Sequence, residues 1–155
     1  MLTMDHTAEE MLELTIDRFW ESFPPVWDKI RGNIRLIVTD RFDITVEQFH
    51  ILRHIRKGAR SVSELAAVRQ ISRAGMSQAI DILVDKGLIS RRHRQNDRRY
   101  IVLELTSDGN ILLNAIFSEN RNWMRGKLGP LSLDELSIIF RGMEALKGIF
   151  VDSAE

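Results

Sequence analysis

Between residues 62 and 105 the chain carries the pattern that most restricts its fold: a short helical segment, a tight turn, a longer helical segment and two short strands. Ser61 and Glu64 have capping-box spacing, in which hydroxyl and carboxylate each satisfy the other's backbone donor, so a helix is expected over 62–68. The turn spans Arg69–Ser72. Ser72 is placed to cap the next helix, expected from Arg73 to Lys86, and Gly87 ends it. Beyond Gly87 the period shortens. Leu88–Arg92 and Tyr100–Leu105 read as strands, the second alternating through Ile101, Leu103 and Leu105, with His93–Arg99 as a polar loop between them.

Two helices at a tight turn, followed by a hairpin, is the order of a winged helix-turn-helix. Its flanks read as helices too, because Thr7/Glu10, Thr45/Gln48 and Ser132/Glu135 repeat the capping-box spacing. A first helix is expected near 7–22, broken at Pro24-Pro25. A second is expected near 25–39, with Trp27, Ile30, Ile34, Ile37 and Val38 on one stripe, and a third near 46–57 carrying Phe49, Leu52 and Ile55. Thr106 is placed to cap a long helix to about Lys127, and a last helix is expected near 133–151, striped by Leu136, Ile139, Phe140, Met143, Leu146 and Phe150. The expected class is therefore mainly α with a small β-hairpin wing, one domain over 1–155.

Charge narrows the partner. The 22 basic and 22 acidic residues cancel, but residues 1–28 carry −6 and residues 53–100 carry +8. Such segregation builds a positive face that uniform solubilising charge would not. The longest stretch without a charged side chain is Gly109–Ser118, about half of a membrane span, and the N-terminus lacks a basic region followed by an apolar run. With no cysteine, thiolate catalysis, disulfides and cysteine metal sites are excluded. The expectation is a cytoplasmic protein without membrane contact.

On the helix after the turn, Met76, Ile80 and Leu83 repeat at helical spacing and should face the core. Ser72, Arg73, Ala74, Ser77 and Gln78 are left for the outer face near its N-terminus. Small side chains let a helix sit deep in a major groove, Arg and Gln can make bidentate contacts to base edges, and N-terminal amides favour phosphate. The hairpin carries five arginines between Arg91 and Arg99 with one acid, Asp97. Cations so crowded repel unless a polyanion is the partner, and a minor groove suits an inserted arginine. Arg91, Arg94, Asp97, Arg98 and Arg99 are therefore candidate DNA-interface residues.

The stretch from Ile44-Thr45-Val46-Glu47-Gln48-Phe49 to Thr106-x-x-Gly109 resembles the MarR family of winged-helix transcriptional regulators. It does so through Ser63-Glu64-Leu65-Ala66, Leu83-x-x-Lys86-Gly87-Leu88-Ile89-x-Arg91, and Asp97-Arg98-Arg99 leading to Leu103-x-Leu105-Thr106. The resemblance implies a DNA-binding lobe at 44–109, and helices at 7–39 and 107–151 that form the base of an obligate homodimer straddling pseudo-palindromic double-stranded DNA. It also implies that Arg99 belongs to the wing group placed in the minor groove, restrained by Asp97. Most members are repressors, many relieved by phenolic or other aromatic carboxylate effectors. For such an effector Trp27, Arg31, Phe49, His50 and His54 are the candidate residues, with Trp20, Phe42, Trp123 and Arg35 as further aromatics and cation.

Other chemistry has weaker support in the residues. His50 and His54, four apart on a helix, can reach one metal ion, but no third ligand lies nearby in sequence, so no metal site and no cofactor is expected. Glu9, Glu13, Asp17 and Glu21 read as a solvated or dimer-facing acidic stripe. No glycine-rich phosphate loop or nucleophile motif points to an enzyme. The alternative is a winged-helix protein-association module without specific DNA binding, which would be expected to carry exposed aromatics and fewer cations on its hairpin.

Overall fold

The computed structural model of the chain describes residues 7–94 and 97–152, with the side chains of all of these except 94–100. The described elements are α1 (Ala8–Leu36), α2 (Val46–Arg56), α3 (Val62–Arg69), α4 (Arg73–Asp85), β1 (Ile89–Arg94), β2 (Asp97–Leu105), α5 (Ser107–Leu128) and α6 (Leu133–Lys147). π-helical turns follow α1 at Ile37–Arg41 and α6 at Gly148–Asp152. All four expected capping boxes form, at Thr7, Thr45, Ser61 and Ser132. The fold is a mostly helical winged helix with one antiparallel hairpin.

Two boundaries differ from the sequence reading. Pro24 and Pro25 do not break the first helix; they lie inside a continuous 29-residue α1. Each proline withholds one amide, which leaves the carbonyls of Trp20 and Glu21 without a helical partner. Both residues are exposed, so water can take those carbonyls. Stacked rings also carry the helix face across the gap, Phe19 to Phe23 at 5.1 Å and Phe23 to Trp27 at 6.5 Å. The hairpin is the second difference. Its strands extend to Arg94 and from Asp97, through most of the polar stretch expected to be loop. Strand pairing is made by backbone groups, so a charged run can still pair as strand when a partner strand supplies the hydrogen bonds.

The chain divides into two units, residues 1–116 and 117–155. In the first, α2, α3, α4 and the hairpin enclose a core in which Leu52, Leu65, Met76, Ile80, Leu83 and Leu103 are fully buried, joined by Ile37 and Val38 and by Leu113 and Ile116. The expected core stripe of α4 is confirmed by Met76, Ile80 and Leu83. Arg60 carbonyl accepts from Leu103 N at 2.9 Å, tying the hairpin to the start of α3. Thr106 locks the hairpin's far end: its hydroxyl donates to Gly87 O at 2.6 Å and accepts from Gly109 N at 3.0 Å, while its own amide donates to Leu88 O at 3.1 Å.

In the second unit the end of α5 turns at Gly129 into α6, where Ser132 supplies the cap. Neither α1 nor α6 buries a single residue. Instead α1 exposes Met11, Leu12, Ile16, Trp20, Phe23 and Trp27, and α6 exposes Ile138, Ile139, Phe140 and Met143. Among the described residues no helix is long and apolar enough to cross a membrane.

Candidate nucleic-acid interface

The helix-turn-helix is built from α3 and α4. α3 ends on Gln70, whose left-handed backbone (φ 55°) reverses the chain, and Ile71 N donates to Ala66 O at 3.1 Å to close the turn. Ser72 then caps α4, its hydroxyl accepting from Gly75 N at 3.0 Å. With Met76, Ile80 and Leu83 sealed in the core, α4 can turn only one face outward. Arg73, Ala74 and Gln78 are exposed and Ser77 is half-buried. The first turn of α4 contains no acid, so the positive end of the helix dipole is unopposed there.

The hairpin pairs Ile89 with Leu105, Arg91 with Leu103, Arg92 with Val102 and His93 with Ile101, and a bulge follows between His93 and Arg94. Arg91 Nη2 meets Asp81 Oδ1 on α4 at 2.5 Å. Arg92 Nε meets Glu104 Oε2 across the strands at 3.1 Å. Both hairpin arginines whose side chains are described, Arg91 and Arg92, thus have carboxylate partners within the chain, and mutual repulsion is relieved there without a polyanion. The side chains of Arg94, Asp97, Arg98 and Arg99, also expected at the DNA interface, lie outside the described residues.

A cavity of about 480 Å³ lies within the same unit. Trp27, Arg31 and Arg35 enter it from one face of α1, Val46, His50 and Arg53 from α2, and Arg69 from the end of α3. Its charge is strongly positive: four guanidiniums face one lining acid, Asp28. Arg69 is held by Glu47 through two bonds, Nε to Oε1 at 3.0 Å and Nη2 to Oε2 at 2.7 Å. That fork keeps the Glu47 carboxyl below its ordinary range and the Arg69 guanidinium above. His50 titrates below its ordinary value, first because burial penalises the imidazolium and next because Arg69 and Arg53 repel it; His54 is lowered by the same causes.

A MarR-family model matches residues 42–99. The chain is 30% identical over 108 residues to YhbI, an uncharacterized HTH-type transcriptional regulator of Bacillus subtilis, covering 69% of this chain and 70% of that one. The chain belongs to the MarR family. The HTH-type transcriptional repressor MdtR of the same organism is 31% identical over 94 residues, covering 60% of this chain and 61% of the repressor. Two solved structures share the fold. A MarR family protein from Bacillus stearothermophilus has a TM-score of 0.77 at 18% identity, over 88% of this chain and 95% of its own. Streptococcus pneumoniae FabT, solved in complex with DNA, has a TM-score of 0.71 at 18% identity, over 88% and 98%.

In this MarR-family lobe, three of the five residues proposed from sequence for an effector, Trp27, Arg31 and His50, line the cavity. Phe49 does not. It is a core side chain, 2% exposed, because α2 turns the Phe49/Leu52 stripe inward; it lies behind the cavity wall, 5.5 Å beneath the Arg53 guanidinium and 5.7 Å from the His50 ring. His54, one helical turn beyond His50, is not among the lining residues. Among the described residues no three His, Asp or Glu side chains are grouped to hold a metal ion. Of the other aromatics, Phe42 packs on the core, Trp20 is exposed on α1 and Trp123 belongs to the second unit, beneath the Lys127 ammonium. Arg53, beside the His50/His54 pair in sequence, lines the cavity with His50, whereas Arg69 at the cavity and Asp81 and Glu104 as partners at the wing had no signal in the sequence. Arg69 and its partner Glu47 are 22 residues apart, so no local spacing announces the pair.

Proposed function

We propose that this MarR-family regulator is a sequence-specific DNA-binding homodimer that represses its target and is relieved by a small aromatic carboxylate. The observation that carries the DNA reading is the outer face of α4. It presents Arg73, Ala74 and Gln78 at the positive end of a helix whose inner face is locked in the core, next to an arginine-rich hairpin. A relative named as a repressor and a fold neighbour solved with DNA support the same reading. Dimerisation is supported by the apolar side chains that α1 and α6 each leave exposed, since so many large apolar side chains on one helix belong in an interface. The effector reading is supported by the cavity, where an aromatic wall at Trp27 stands among guanidiniums. Chemistry of this kind binds an aromatic anion, and the cytoplasm is where such a regulator meets DNA.

Fluorescence anisotropy tests the proposal, using a duplex from upstream of the protein's own gene against a scrambled duplex across a salt series. The expected result is a preference of about a thousandfold or more for the native duplex, weakening steeply with salt. Weak, equal binding to every duplex would overturn sequence-specific regulation. Absence of DNA binding by a folded dimer at low salt would point instead to a protein-association module.

A further inference from the structure

The acid that answers Arg91 stands on the helix that reads DNA, and the strand register explains why the two meet. Ile89 and Leu103 are buried, so the odd positions of β1 face the body of the lobe. Arg91, opposite Leu103, is on that face and reaches α4, where it pairs with Asp81. Asp81 lies one helical turn beyond Ser77, on the stripe that begins with Arg73 and Ala74, and is the first acid on that helix. Left bare, this carboxylate would repel phosphate. Left bare, Arg91 would bind any phosphate regardless of sequence. The side chains are 34% and 53% exposed, and an ion pair so open to solvent adds little to stability, so its effect lies in how charge is presented.

We propose that Asp81 is a specificity-determining residue of the DNA interface. It sequesters Arg91 at the root of the wing, so that Arg91 is a positioning residue and not a phosphate contact. This rests on the DNA-binding reading above. A phosphate contact strengthens binding to every duplex alike, so withdrawing one from an arginine-rich hairpin lowers non-specific binding and leaves base readout untouched. The same pair ties β1 to α4 and sets the angle at which the hairpin leaves the helix. On the opposite face of the hairpin Glu104 holds Arg92 by a similar pair, so restraint of cations at the wing root is a repeated device.

The test is the salt dependence of binding by the full-length protein to native and scrambled duplexes, for wild type, Asp81→Ala, Arg91→Ala and the double variant. Asp81→Ala frees one cation. It is expected to steepen the log K against log salt slope on scrambled DNA by about one and to raise that affinity about eightfold near 0.1 M salt. The preference for the native duplex narrows accordingly. The double variant removes a neutral pair and is expected to keep the wild-type slope. Asp81→Asn repeats the first measurement with little change of shape, and thermal melts establish that each variant is folded. An unchanged slope in Asp81→Ala, with a slope shallower by about one in the double variant, would mean that Arg91 itself contacts phosphate and would overturn the proposal. A wild-type protein with no salt-dependent binding would overturn the DNA-binding reading itself, a result distinguishable from either variant pattern.

Discussion

Gly109 sits in the first turn of α5, where the usual rule for glycine in a helix and the local packing make opposite predictions. Helix propensity alone favours Gly109→Ala by at most about 1 kcal/mol. The structure opposes it. A Cβ at position 109 would lie 2.2 Å from Leu88 O and 3.1 Å from its carbonyl carbon, and Leu105 Cδ2 is 3.5 Å away. The colliding atoms are backbone, so relief to an ordinary 3.4 Å contact requires α5 and residue 88 to part by about 1.2 Å. The Thr106 bonds to Gly87 O and Leu88 O cross that same gap. Losing those two bonds costs about 1 kcal/mol each, and a further ~1–2 kcal/mol goes as Leu113 and Ile116 begin to leave the core with the helix. After the propensity gain, a net loss of about 2–3 kcal/mol is expected. Urea unfolding at fixed protein concentration measures it, with Gly126→Ala as the control, since no atom lies within 4 Å of a Cβ there. The control should be neutral or stabilised by up to about 1 kcal/mol. A Gly109→Ala protein as stable as wild type would refute the close-approach explanation of the Leu-Thr-x-x-Gly signature.

Other perturbations probe the interface and the cavity. Ala74→Glu places an acid in the first turn of α4, where the helix dipole tolerates it, so the melting temperature should hold while operator binding falls by about tenfold to a hundredfold. A parallel loss of fold would count against the outward placement of Ala74. Arg99→Ala should weaken operator binding severely with little change in melting temperature, and a collapse in stability would argue against its assignment to the DNA-contacting wing. Aromatic carboxylates should quench tryptophan emission, with Trp27→Phe removing most of the response and Arg31→Ala weakening the apparent affinity about tenfold. Quenching that survives both changes would place the ligand elsewhere.

The pH dependence has a definite sign. His50 and His54 titrate below the ordinary 6.5 in the folded chain. The unfolded state therefore takes up protons first, and stability falls as pH drops through about 6.5 toward the lowered folded values. The His50→Gln/His54→Gln variant should flatten the urea midpoint between pH 7.5 and about 5.5, whereas a wild-type midpoint that rises on acidification would contradict the partial burial and cationic surroundings of the imidazoles.

Local signals determined much of the lobe, and for a physical reason: a cap, a left-handed stop or a strand alternation is decided within a few residues. Four capping boxes, the Ser72 cap, the Met76/Ile80/Leu83 stripe and the strand core at Leu103 are all of this kind. The same locality misled at Pro24-Pro25, where stacked rings four residues apart and solvent-exposed carbonyls let the helix continue. It misled again at the hairpin, where a charged run became strand because a partner strand supplied its hydrogen bonds. Tertiary structure alone decided which arginines are neutralised, since Arg91–Asp81, Arg92–Glu104 and Arg69–Glu47 join positions 10 or more residues apart. It also separated Phe49, committed to the core, from His50, its neighbour in sequence, which lines the cavity. A one-residue step on a helix turns a side chain by roughly 100°, and only the packing of α2 shows which of the two faces inward.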